Sequence, residues 1–273
     1  MAPLIKRKPS PQSGRRAEPQ RRQVLHLYGI SQGAIPPAKS FEDLKGVDGS
    51  AAVEALSCGG LLCWISRVPE EEFASGLAKN MQDLDWLATV STRHQQVVSA
   101  IAQATDMLPA RFGIEFLNEN SLASHVRAHE DSLAADLRRI RGKEEWGVKV
   151  FSAPATAAPV KRVRTGKEYL QAKSALARRN GRSFDRTLVE FGKALESIAD
   201  QVGEGGKFAG ARRDLAFHKT VLLKKNDRKK LQALVNQYSK KWKNQRRIEC
   251  TGPWPTFSFV SSAELPASGQ THS

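Results

Sequence analysis

Four groupings of side chains have the types and spacing that chemistry needs. Gly203-Glu204-Gly205-Gly206-Lys207-Phe208 sets a lysine behind glycines, the composition of a loop whose backbone amides cradle phosphate. The pattern breaks at both ends. Gln201 stands where the first glycine belongs, and Phe208 where Ser or Thr would hold magnesium. The segment reads as a flexible connector. His125 and His129 share one face of a predicted helix, as two metal ligands would, but the Glu of a zinc protease is missing between them and no third ligand stands out. Cys58 and Cys63 lack the second Cys or His pair that would complete a zinc site, and read as small buried side chains. Asp83, Asp85 and His94 offer acid–base groups without a nucleophile or pocket. No catalytic, cofactor-binding or metal site is expected, and the chain does not read as an enzyme.

The remaining chemistry is charge. The chain of 273 residues carries 43 Lys plus Arg against 28 Asp plus Glu, a net +15. The excess is uneven: +6 over residues 1–23, −5 over 24–160, +16 over 161–247 and −2 beyond. Arg228, Lys229, Lys230, Lys240, Lys241 and Lys243 surround a narrow apolar stripe, with Lys224, Lys225, Arg246 and Arg247 flanking it. Such a helix could track phosphates, which makes a nucleic-acid-binding module the alternative reading. Charge runs are more often solvated faces, and no RNA-binding aromatic motif, zinc finger or helix-turn-helix signal accompanies this one. Leu61–Ile65 is the longest apolar run, far short of the ~18 residues a membrane span needs. Three cysteines and no secretory signal suit a reducing cytoplasm.

The elements that must position these groups are of mixed type. Residues 24–30 read as a strand, 51–56 and 61–65 as a hairpin across Gly59-Gly60, and Pro69 as the start of a helix. Next come a helix from 81 or 83 to 104, a strand over 107–116, a helix over 122–140 and a final strand over 146–151. The second half gives a helix from 167 to 202 interrupted at Asn180-Gly181, a strand over 215–223, a helix over 227–242 and a last strand from Ile248. The fold class is α+β with two domains, the first ferredoxin-like and the second a smaller, helix-rich α+β domain. The expected boundaries are a disordered basic leader over 1–23, a domain over 24–151, a linker over 152–164, a basic domain over 165–261 and a flexible tail over 262–273.

In this frame the chain resembles the gas vesicle protein F/L family. The motifs that carry the likeness, in order, are Leu27-Tyr28-Gly29-Ile30, Leu61 to Val68 with Pro69-Glu70-Glu71-Glu72, and Asp85-Trp86-Leu87 with His94 and Val97-Val98. Then come Leu108-Pro109-Ala110-Arg111-Phe112-Gly113, Glu145-Trp146-Gly147-Val148-Lys149, Gly166-Lys167-Glu168-Tyr169-Leu170 and Gly252-Pro253-Trp254-Pro255 with Phe257-Ser258-Phe259. The resemblance implies a non-enzymatic accessory or minor structural protein. It would contact the shell protein or other gas vesicle accessory proteins, in the gas vesicle and cytoplasm, and require no cofactor. It displaces nucleic acid as the expected partner. The candidate partner-binding residues are Pro253, Trp254, Pro255, Phe257 and Phe259, because prolines fix the chain while aromatics supply anchors. Arg111 and Trp146 join them from the internal motifs, Arg111 being able to pair with Glu145 or Glu144. The same aromatics could instead close the core.

Overall fold

The computed structural model describes residues 22–36, 41, 43–152, 186–205, 214–243, 245–261 and 270–272. The leader up to residue 21, the linker, the first part of the helix expected from Lys167, and Lys207 with Phe208 lie outside these residues.

β1 (Gln23–Ser31) is the spine of the first sheet. It pairs antiparallel with β3 (Leu61–Pro69) on one side, and with β4 (Met107–Pro109) and β5 (Ile114–Phe116) on the other. β2 (Glu54–Cys58) forms the expected hairpin with β3. Gly59 at its turn has φ +66°, a conformation that side chains rarely adopt. With β4 and β5 counted as one strand, the order across the sheet is fourth, first, third, second, as in a ferredoxin-like sheet.

Both faces of this sheet are covered, so β1 and β3 bury alternate residues in two cores. Leu25, Leu27, Leu61, Cys63 and Ile65 meet α4 (Glu119–Ala128) and α5 (Glu130–Ile140) through Leu122, Val126, Leu133 and Leu137. Val24, Tyr28, Trp64 and Val68 meet α3 (Leu84–Ala104) through Val90, Val97, Val98 and Ile101. Two single-turn helices, α1 (Glu70–Phe73) and α2 (Leu77–Asn80), lead into α3.

Three expectations for this half change. The strand over 107–116 is two strands, because Ala110–Gly113 loops out. The Ala110 amide donates to the Tyr28 carbonyl at 2.9 Å, and Phe112 turns inward among His26, His94 and Trp86. The helix over 122–140 breaks at His129, whose backbone (φ −122°, ψ 14°) leaves helical geometry. The C-terminal stretch expected to be flexible contains β10 (Gln270–His272), which pairs parallel with β5.

The second sheet runs β7-β8-β6-β9, from β6 (Lys143–Ser152), β7 (Gln201–Glu204), β8 (Leu215–Lys224) and β9 (Arg246–Trp254), all antiparallel. Helix α6 (186–198) lies between β6 and β7 in the chain, and α7 (Arg228–Lys241) between β8 and β9. Here β, α, β, β, α, β is complete, and the order read from β9 is again fourth, first, third, second. The strand over 146–151 therefore belongs to the second sheet, not to the first as expected. Its Val148 and Val150 pack with Phe191, Leu195, Leu231, Val235, Tyr238 and Trp242, and only this sheet supplies those partners.

One polar chain crosses the first core. Glu115 Oε1 lies 2.7 Å from His26 Nδ1, His26 Nε2 lies 2.8 Å from His94 Nδ1, and His94 Nε2 lies 3.0 Å from the Ala110 carbonyl. A carbonyl only accepts, so His94 Nε2 carries its proton and His94 Nδ1 accepts from His26. His26 Nδ1 then accepts from a protonated Glu115. Burial supports the neutral chain: it lowers both imidazoles to about 3 and pushes the Glu115 carboxyl well above its usual range. Below about pH 6.5 the unfolded imidazoles bind protons that the folded ones refuse, so stability falls toward acid. Above about pH 4.5 the unfolded Glu115 releases a proton that the folded one keeps, so this group opposes folding as pH rises. Glu115→Gln preserves a donor toward His26 and should cost no more than about 1 kcal/mol in denaturant melts. It should also remove the alkaline loss while leaving the acid limb. A loss of about 3–5 kcal/mol would instead mark an ionised pair.

Candidate partner-binding site

The candidate segment begins where β9 leaves its sheet. The Gly252–Pro253 bond is cis, and Gly252 has φ +142°. A Cβ there would sit 2.9 Å from the Glu145 carbonyl and 3.0 Å from the Trp146 ring. Trp146 is thus the floor of the corner. Its indole donates to Glu144 Oε1 at 2.8 Å, and the same carboxylate takes both arms of the Arg228 guanidinium at 2.5 Å. The start of β6 and the start of α7 are held by that one buried carboxylate.

Beyond the corner the chain is drawn inward. Pro255 and Thr256 are buried. Phe257 packs on the core beneath α3, and Phe259 enters the core under α4 and α5 together with Leu222 of β8. Buried Glu145 accepts from the Ser258 amide at 2.8 Å and from its hydroxyl at 2.6 Å. Burial raises its carboxyl above the usual range, against the two donors that lower it. Arg139 donates to the Phe259 carbonyl at 2.5 Å, and Asp136 accepts from the Ser261 amide at 2.9 Å.

The seven candidates therefore separate. Phe257, Phe259, Pro255 and Trp146 pack within the protein, while Pro253 and Trp254 face solvent, Trp254 with 45% of its surface exposed. Arg111 is exposed on the turn between β4 and β5. Its possible partners Glu144 and Glu145 are held instead by Arg228 and Ser258.

Pro253, Trp254 and Pro255 line a cleft of about 450 Å³ between the C-terminal turns of α3, the start of β6 and the start of α7. Neither Arg111 nor Trp146 lines it. Its cations are each paired: Lys225 with Asp106 at 2.9 Å, Lys143 with Asp200 at 3.1 Å and Arg228 with Glu144. Thr256 is different. Its hydroxyl is buried in the cleft wall and finds no hydrogen-bond partner among the described residues. A group so placed costs about 1–3 kcal/mol until something satisfies it.

Sequence reasoning missed the cleft, because its walls come from segments more than 100 residues apart. It also missed the His26–Glu115 pair, although a lone histidine inside Val24-Leu25-His26-Leu27 was a visible sign of a buried polar contact. Three residues of the basic helix are matched at home: Lys230 pairs with Asp227, Lys241 with Glu190 and Arg228 with Glu144. His129 Nδ1 is turned to the His125 carbonyl at 2.8 Å, which takes that nitrogen away from any metal.

The family model described as gas vesicle synthesis protein GvpL/GvpF matches residues 24–261. The chain belongs to this family. It is 27% identical to Gas vesicle protein L of a Streptomyces species over 88% of its own length and 94% of that protein. It is 21% identical to Gas vesicle protein F of Haloferax mediterranei over 56% of its own length and 60% of that protein. Its fold matches the crystal structure of GvpF from Anabaena with a TM-score of 0.66, at 19% identity, over 90% of this chain and 99% of that one. GvpF from Microcystis aeruginosa matches with a TM-score of 0.60, at 17% identity, over 86% and 98%. The GvpL/GvpF chain thus takes part in gas vesicle synthesis, and nothing in these likenesses supports nucleic-acid binding. No described helix is long and apolar enough to cross a membrane.

The two aromatics of the terminal motif should answer differently to truncation. Phe259→Ala removes a core ring and should cost about 3–5 kcal/mol in chemical denaturation. Trp254→Ala should cost about 1 kcal/mol or less, as for a surface position.

Proposed function

We propose that this chain is a non-enzymatic assembly protein of the gas vesicle, and that it holds the shell subunit or another accessory protein at the Trp254 cleft. One observation carries the reading. A large aromatic ring stands half exposed between Pro253 and Pro255 at the mouth of a cleft whose ions are already paired. Rigid aromatics in such settings are the usual anchors of protein interfaces. Paired ions, with no nucleophile and base assembled together among the described residues, suit binding better than turnover.

The physical need is plain. A shell protein that exposes apolar patches or unpaired strand edges before assembly would aggregate. A partner that covers them during synthesis keeps the subunit competent to assemble. This reading puts the protein at the growing vesicle in the cytoplasm. Trp254→Ala should weaken co-purification with the shell subunit or an accessory protein at least tenfold, with a melting temperature lowered by no more than about 2–4 °C. Undiminished capture by the variant would refute the cleft as the contact.

A further inference from the structure

Among the described residues, four strands close the edges of the two sheets: β10 and β2 in the first, β7 and β9 in the second. Three of them are short, at 3, 5 and 4 residues, which limits what can pair with them. β9 has nine residues, and from Arg246 to Thr251 it follows β6 without a register break. Only beyond Thr251 does Gly252 bend the chain and Pro253 remove an amide. No described strand pairs with the outer side of β9, so alternate N–H and C=O groups face outward there.

The side chains of this stretch alternate between two faces. Ile248 and Cys250 are half-buried at the margin of the second core. On the other face stand exposed Arg247 and half-buried Glu249, which pair with each other. Glu249 also lies opposite Lys149 of β6. Along the strand the order is therefore cation, apolar, anion, centred on Ile248.

That order is complementary to itself read backwards. A second copy pairing antiparallel is related by a two-fold axis normal to the sheet, which keeps every side chain on its own face. With the axis at Ile248, Arg247 of each copy faces Glu249 of the other, and Ile248 faces Ile248. With the axis at Arg247 or at Glu249, like charges stand directly opposite, which is destabilising. With the axis at Cys250, Arg247 faces Pro253, which has no amide for the ladder.

We infer that β9 is a self-pairing edge, through which two copies of this chain join antiparallel about a two-fold axis at Ile248. The two four-stranded sheets become one continuous sheet. Backbone hydrogen bonds and the covering of Ile248 and Cys250 supply the attraction, and the two Arg247–Glu249 pairs between copies fix the register. Each Glu249 then lies between Lys149 of its own chain and Arg247 of the other copy. The inference does not rest on the Trp254 cleft, because Pro253 and Trp254 lie beyond the paired stretch. Each copy carries +15, which opposes approach at low salt.

The test is sedimentation of the full chain at physiological ionic strength. A Debye length of about 8 Å there screens the net charge of each copy but not directly opposed side chains. The wild type should show a monomer–dimer equilibrium. Arg247→Glu alone and Glu249→Arg alone each set like charges opposite one another and should weaken it about tenfold. An equimolar mixture of these two variants should recover the dimer as a heterodimer. The double variant, Arg247→Glu with Glu249→Arg, should recover it as a homodimer. A loss caused by damage to the fold would not be recovered by mixing. Trp254→Ala should dimerise like the wild type. A wild type that stays monomeric at its highest soluble concentration overturns the inference. So does a dimer that ignores both charge reversals, or a mixture no more dimeric than its components.

Discussion

The two halves are held together by a short stretch of chain that belongs to neither. Glu145 stands near the start of the second sheet, buried, and needs donors. Ser258 supplies two of them. Because that bond sets the position of residue 258, Phe257 is delivered to one core of the first sheet and Phe259 to the other. Arg139 and Asp136 at the end of α5 then close over the carbonyl of Phe259 and the amide of Ser261. The cleft, the exposure of Trp254 and the placement of Thr256 all follow from where this stretch is pinned. A buried carboxylate is costly unless fully bonded, and here the bonding partner is also the structural link.

Local patterns were readable and long-range pairing was not. The hairpin at Gly59-Gly60 came from turn chemistry, and the stripes of α3 and α7 from helical spacing. The strand of residues 143–152 was recognisable as a strand, but its sheet was not. Its register with β8 and β9 depends on residues 60 to 110 positions away, and no local signal carries that. The ferredoxin-like strand order expected of the first sheet recurs in the second, which no local pattern announced, for the same reason. The split between β4 and β5 also escaped, since it is set by the hydrogen bond from Ala110 to the Tyr28 carbonyl and by Phe112 turning inward.

Within the candidate site, residue type predicted importance without predicting role. Prolines and aromatics in Gly252–Phe259 marked a constrained segment, and it is constrained. Which of its rings face outward depends on the close approach of Gly252 to Trp146 and on the grip of Glu145. Charge was similarly ambiguous. The +16 of the second half suggested a polyanion partner, yet Arg228, Lys230 and Lys241 spend part of it on Glu144, Asp227 and Glu190.

The parallel pairing of β10 with β5 has a consequence for the order of events on the ribosome. The first sheet contains the first described strand and the last. Its two cores also wait for Phe257 and Phe259. As the chain emerges, residues 23–140 can collapse, but their edge and part of their interior stay open until more than 100 further residues have been synthesised. The second half, whose described strands and helices lie between Lys143 and Trp254, can close first. The amino-terminal half is made early and finished late, so the interval between those moments is when it is most exposed to proteases and to unwanted strand pairing.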